Sequence, residues 1–132
     1  MIDSFRRLKA KLDIDLIVVT GPSLQISPAE DFRLFGYVPN LNEYIYASDL
    51  IISLAGRSTM DESIVYNIPG IFIPLKNHYE QEECAKRLGF KYNDILRLDQ
   101  LIEEKISSNS DMRKNKVNNG AKKAAEIISS FI

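Results

Sequence analysis

An α/β fold, a parallel sheet with helices on both faces, is what the 132-residue chain predicts, and two patterns carry the prediction. Short apolar runs at residues 16–20, 33–38, 50–54 and 70–75 alternate with stretches whose apolar residues recur at helical spacing. Turn and cap signatures separate the two kinds of stretch, so each strand hands over to a helix. In parallel sheets ligands bind at the carboxyl ends of the strands, which places the loops at Val38, residues 55–59 and residues 76–81 on one rim.

The chain opens in an amphipathic helix, because Phe5, Leu8 and Leu12 recur at helical spacing among Arg6, Arg7, Lys9 and Lys11. Residues 16–20, Leu-Ile-Val-Val-Thr, read as a buried strand stopped by Gly21-Pro22, and residues 33–38 as a short strand after a polar loop. Asn40, with Glu43 three residues on, opens a helix that runs to about Ala47. After the strand at 50–54, two alternative cap pairs, Ser58 with Asp61 and Thr59 with Glu62, start a helix that ends near Asn67, ahead of Pro69. The strand at 70–75 follows. Asn77 and Glu80 repeat the cap spacing and open a helix that stops at Gly89, where a left-handed cap is expected. Residues 95–98 read as a last short strand. Helical patterns then fill 99–107 and about 110–130, the second with Ala121, Ala124, Ala125, Ile128 and Phe131 on a broad apolar side.

Length and a 45% hydrophobic composition allow one core, so residues 1–132 are expected to form a single domain. Seventeen basic against eighteen acidic residues leave a formal charge of −1, so no global basic field recruits nucleic acid and any anion must be bound locally. The single cysteine, Cys84, has no partner for an intrachain disulfide and sits in a helical pattern, as a buried thiol in a reducing interior would. No apolar run approaches the roughly 18 residues of a membrane span, and residues 1–12 lack the apolar centre of a signal peptide. A soluble cytoplasmic protein is the expectation. One histidine, His78, with scattered acids makes neither a metal set nor a nucleophilic triad with Cys84, so no metal, no cofactor and no catalytic residue is assigned.

Residues 36–75 set two loop-then-helix sites side by side. A helix that begins just after a strand presents free backbone N–H groups, which suits a phosphorylated ligand. Gly56 lets backbone approach, Ser58 and Thr59 offer hydroxyls, and Glu62 is either a carboxylate for a pair of hydroxyls or a capping partner of Thr59.

The same stretch resembles a known family. Gly36-Tyr37-Val38, then Ala47-Ser48-Asp49-Leu50-Ile51-Ile52, then Gly56-Arg57-Ser58-Thr59-Met60-Asp61-Glu62, then Pro69 and Pro74, then Glu80-Gln81 with Ala85 follow the order seen in the donor-binding C-terminal domain of GT-B glycosyltransferases of the MurG type. The resemblance is strong over residues 33–90. It implies a Rossmann-like domain that binds a UDP-sugar, with UDP-N-acetylglucosamine the leading candidate, as substrate and not as cofactor. It further implies that the Val38 backbone meets the uracil, that Gly56, Ser58 and Thr59 line the phosphates, that Glu62 binds the ribose hydroxyls, and that Glu80 and Gln81 address the sugar. Arg57 stands where the family often has a small residue, and Cys84 where it often has Asn. Domains of this kind normally open with a central strand and a glycine-rich loop, and neither is found in residues 1–132.

Three functions are therefore weighed. The first is the donor domain of an inverting glycosyltransferase, completed by an N-terminal acceptor domain or a second subunit, with peripheral membrane association through that partner or self-association as options. The second is a non-catalytic association module or truncated remnant. The third is a general nucleotide-binding regulator, which would take adenine or guanine nucleotides as well as uridine ones.

Overall fold

The computed structural model describes residues 1–108 and 120–131. The order of elements is α1 (Ile2–Lys9), β1 (Ile17–Val19), β2 (Arg33–Phe35), α2 (Leu41–Ala47), β3 (Ile51–Leu54), α3 (Arg57–Tyr66), β4 (Gly70–Ile73), α4 (Tyr79–Arg87), a 3-10 turn (Tyr92–Arg97), α5 (Leu98–Ser108) and α6 (Gly120–Ser129). The architecture is α/β and Rossmann-like, with parallel pairing throughout: Ile17 lies opposite Arg33 on β1 and β2, and Ile51 opposite Gly70 on β3 and β4.

The sheet is divided. Among the described residues β1 pairs only with β2, and β3 only with β4, so two two-stranded ladders stand where a sheet without its usual first strand was expected. The register shows which edges are open. Leu16 O accepts from Arg33 N–H and Phe35 O from Thr20 N–H, so the backbone groups of Ile17 and Val19 point away from β2. Ile51 N–H and Ala55 N–H donate to Pro69 and Ile73, which turns those of Ile52 and Leu54 away from β4. This agrees with a sheet that lacks a central strand.

Helices cover both faces of the β3–β4 ladder. The main core joins Leu8 of α1, Met60 of α3, Ile71, Phe72 and Ile73 of β4, Cys84 and Ala85 of α4, and Leu98, Leu101 and Ile102 of α5. On the other side Ile51 packs with Ile45 of α2 and with Ile68. The β1–β2 ladder has a smaller cluster of Phe5, Val18 and Phe32. Phe5 and Leu8 lie one turn apart on α1 and enter different clusters, and Ile14 packs against both, so α1 and its following loop tie the two ladders together.

Two readings change. The strand expected at 95–98 is the end of a 3-10 turn and the first residue of α5. The buried Asp94 carboxylate accepts from Lys91 N–H at 2.8 Å and from Arg97 Nε at 2.9 Å, a local bonding pattern that competes with a strand. The expected helix over about 110–130 is seen at Gly120–Ser129, while residues 109–119 lie outside the described residues. Its apolar side is not packed: Ile127, Ile128 and Phe131 are all exposed. The left-handed residue after α4 is found as expected, at Gly89 with φ of 83°.

Candidate functional site

The first turn of α3 differs from both expected cap pairs. Gly56 itself is the N-cap, with extended backbone and no side-chain hydrogen bond, and the helix starts at Arg57. Ser58 and Thr59 therefore sit inside the first turn, where a capping box with Asp61 or Glu62 cannot form. The consequence favours ligand binding. The N–H groups of Arg57, Ser58 and Thr59 have no intrahelical acceptor, and the side chains of Ser58, Thr59 and Glu62 make no hydrogen bond with the described residues. Glu62 stands three residues after Thr59 and four after Ser58, so the three side chains share one face of α3.

Val38 lies three residues past the end of β2 and is buried, 8% exposed, while its neighbour Tyr37 is 73% exposed. Burial of the Val38 side chain leaves its backbone as the part that can meet a ligand. Val38 lies in the loop that follows the β1–β2 ladder, whereas α3 lies between β3 and β4 of the second ladder.

The start of α4 is also capped otherwise than expected. His78 is the N-cap, its Nδ1 accepting from Gln81 N–H at 3.4 Å, while Asn77 takes a left-handed φ of 64°. Gln81 Oε1 accepts from Leu75 N–H at 3.0 Å and Glu82 Oε1 from Asn77 N–H at 2.9 Å. The Gln81 carbonyl thus helps to hold the loop after β4, which leaves its amide NH₂ and one remaining acceptor lone pair for a ligand. Glu80 is exposed and makes no hydrogen bond with the described residues.

An open depression of about 410 Å³ runs along α4 and reaches α3 at Arg57, while Ser58, Thr59, Glu62 and Gln81 do not line it. Arg57 from the first turn of α3 lines it together with Glu80, and so do Tyr79, Glu83, Cys84 and Arg87. Positions 80, 83, 84 and 87 recur at helical spacing, so one face of α4 forms the far wall. Arg57 Nε donates to Asp61 Oδ2 at 3.1 Å, and this hydrogen-bonded carboxylate raises the guanidinium above its ordinary pKa, keeping it cationic. Sequence reading had passed over Tyr79, Glu83 and Arg87. Counted from Glu80, Glu83 stands at i+3 and Arg87 at i+7, while Tyr79 directly precedes it, and nothing in the sequence says that this face turns toward Arg57.

A second cavity of about 490 Å³ lies along the adjoining strip of α4, beside Pro74, Lys76, Lys91 and Tyr92, and shares Glu83 with the first. None of the sequence-predicted site residues lines it. Among the described residues no cluster of three or more His, Cys, Asp or Glu side chains is placed to hold a metal ion. No helix among them is long and apolar enough to cross a membrane.

Comparison with known proteins bears on the same residues. A UDP-N-acetylglucosamine–N-acetylmuramyl-(pentapeptide) pyrophosphoryl-undecaprenol N-acetylglucosamine transferase of Thermotoga neapolitana is 32% identical over 100 residues, 70% of this chain and 29% of that protein. The enzyme of the same name from Desulforamulus reducens is 37% identical over 86 residues, covering 61% of this chain and 23% of the relative. An uncharacterized glycosyltransferase of Methanosarcina acetivorans is 32% identical over 76 residues, 54% of this chain and 20% of its own length. The chain thus spans less than a third of each of these relatives. The sequence profile of the glycosyltransferase family 28 C-terminal domain matches residues 6–131, from the second half of α1 to beyond the end of α6 and including every residue of the site, and the chain belongs to that family.

Proposed function

We propose that this chain is the donor-binding domain of an inverting glycosyltransferase that takes a UDP-sugar, with UDP-N-acetylglucosamine the first candidate. The observation that carries the reading is the free first turn of α3: three unbonded N–H groups with Ser58, Thr59 and Glu62 on one face, in a chain of this family. The diphosphate takes the helix N-terminus, where partial positive charge favours an anion, and Glu62 accepts from the two ribose hydroxyls. Two of the relatives are named as N-acetylglucosamine transferases, which supports that sugar over others.

The chemistry is displacement at the anomeric carbon by an acceptor hydroxyl. As the bond to the leaving oxygen breaks, negative charge builds on the diphosphate, and fixed N–H dipoles at α3 stabilise it without reorganisation. On this reading the base that activates the acceptor is supplied by an acceptor-binding domain or subunit. Cytoplasmic activity with peripheral membrane contact through the partner follows from the same reading.

Titration of UDP into the purified chain by calorimetry, with ADP and the Glu62→Ala variant as controls, tests the proposal. UDP binding that weakens about tenfold in Glu62→Ala, and that ADP does not match, supports it. Equal binding of ADP favours a general nucleotide module. No UDP binding at millimolar concentration refutes a donor site in this chain.

A further inference from the structure

We infer that the cavity beside the 3-10 turn, together with the apolar tip of that turn, is a face with which this chain itself meets an anionic lipid bilayer. The face is separate from the nucleotide site and goes beyond the contact assigned above to a partner. Three ammonium groups, those of Lys76, Lys86 and Lys91, line the cavity of about 490 Å³. Its carboxylates are engaged within the chain: Glu82 accepts from Asn77 N–H, and Glu83 lies 3.7 Å from the Lys86 ammonium. The buried Asp94 turns inward to Lys91 N–H and Arg97 Nε. Lys76 and Lys91 form no ion pair with the described residues, and Lys76 stands 6.0 Å from the centre of the Tyr92 ring. The cavity thus has a local excess of positive charge on a chain whose formal charge is −1.

Apolar groups continue the face. Side chains three apart eclipse in a 3-10 helix, so Ile95 follows Tyr92 and Leu96 follows Asn93, both of which line the cavity. Tyr92 and Ile95 are exposed, and Leu96 is almost wholly so. Lysine, tyrosine and leucine side by side match the layers of a bilayer surface: ammonium groups meet headgroup phosphates, the phenol ring sits at the boundary, and leucine enters the acyl region. So few side chains offer far less than the roughly 800 Å² per partner of a stable protein interface, whereas a fluid bilayer moulds to a protruding leucine. Position adds to this. Pro74 directly follows β4, and β4 runs parallel to β3, so the face lies at the same end of the molecule as the first turn of α3.

The test is co-sedimentation of the full chain with vesicles of phosphatidylglycerol and phosphatidylcholine, against vesicles of phosphatidylcholine alone. Wild type binds the anionic vesicles at millimolar lipid, more weakly as salt rises, and leaves the neutral ones free. Replacing both lysines, Lys76→Gln with Lys91→Gln, weakens binding about thirtyfold, and Leu96→Ser weakens it about tenfold. Matching melting curves show that the variants fold, as all three positions lie outside the proposed nucleotide site. Absence of binding, equal binding to neutral vesicles, or variants that bind as wild type does overturn the inference. Displacement by soluble glycerol phosphate with Leu96→Ser unaffected overturns it in favour of a site for a small anion. A wild-type dimer in light scattering that Leu96→Ser dissolves, with lipid binding unchanged, overturns it in favour of self-association.

Discussion

Asp94→Ala isolates the group that turns residues 92–97 away from a strand. Its side chain is 1% exposed, and it accepts two hydrogen bonds, from Lys91 N–H and from Arg97 Nε, whose own side chain is 48% exposed. Losing the first leaves a backbone donor without its cap, a cost of about 1 kcal/mol. The second is charge-assisted, but the half-exposed guanidinium recovers water, so the lower end of the range applies, about 1–1.5 kcal/mol. The expected loss is about 2–3 kcal/mol, or roughly 10 °C in melting temperature for a domain of this size. Asp94→Asn keeps an acceptor for Lys91 N–H and should lose about 1 kcal/mol.

The pH dependence has a definite sign. Burial pushes the Asp94 carboxyl up, but the Arg97 hydrogen bond, the Lys91 N–H and the two positive charges outweigh it and hold the carboxyl below its ordinary value. The folded state then binds fewer protons than the unfolded chain. This contribution is complete above the unfolded value of about 3.9 and is lost as pH falls through the folded value. Urea denaturation from pH 8 to pH 3 should show a constant difference between wild type and Asp94→Asn down to about pH 5, then a shrinking one. A stability of Asp94→Ala within about 0.5 kcal/mol of wild type, or a difference that grows on acidification, refutes the argument.

Leu8, 1% exposed in the main core, should cost about 2–5 kcal/mol as Leu8→Ala in the same assay. Gly70→Ala should cost about 1–3 kcal/mol, because a Cβ there falls against the ring of buried Phe72 at the start of β4; a neutral result would show that the ring can move aside. The Asp99 carboxyl is held well below the carboxylate range by hydrogen bonds from the Arg7 guanidinium and the Ser4 hydroxyl, so its support of α1 is complete above the unfolded carboxylate value and declines progressively as pH falls below it. NMR titration of Arg7→Ala should move Asp99 back toward its ordinary value, and an unmoved midpoint would discount the pair. In hydrogen exchange, the amides of Ile17 and Val19 should exchange faster than those of Val18 and Thr20, because only the latter face β2; equal protection would mean that the open edge of β1 is covered in solution.

The alternation of strand and helix through residue 90 was legible because it rests on spacing, and spacing survives any tertiary arrangement. Strand ends and caps were less so. Asn77 and Glu80 have the spacing of a cap pair, yet Asn77 adopts the left-handed region and His78 supplies the acceptor, a choice made by backbone geometry that letters do not encode. Residues 95–98 read as a strand because Ile95, Leu96 and Leu98 are apolar, but Leu96 is 86% exposed and only Leu98 reaches the core. Exposed apolar residues are common, and a short run cannot announce which of its members is buried. At the site, the turn from Gly56 to Glu62 was legible as a local motif. The α4 wall was not, because it comes to border Arg57 only once α3 and α4 are both seated on the shared core of Met60, Cys84 and Ala85.

The division of the sheet also divides the site by stability. The α3 turn and the α3–α4 cavity stand on the β3–β4 ladder, which carries the large core of residues from α1, α3, β4, α4 and α5. Val38 stands on the β1–β2 ladder, whose cluster has three buried members. The placement of Val38 relative to Glu62 depends on the bridge made by α1 and Ile14 and on α2, whose Tyr44 ring meets Phe35 of β2 and whose Ile45 packs with Ile51 and Ile68. A weakened bridge at Phe5, which belongs to the smaller cluster, would disturb the Val38 side before the phosphate side. On the proposed reading Phe5→Ala should then erode the preference for uridine over adenine nucleotides more than it erodes diphosphate affinity. Leu8→Ala, which opens the larger core, should weaken both together.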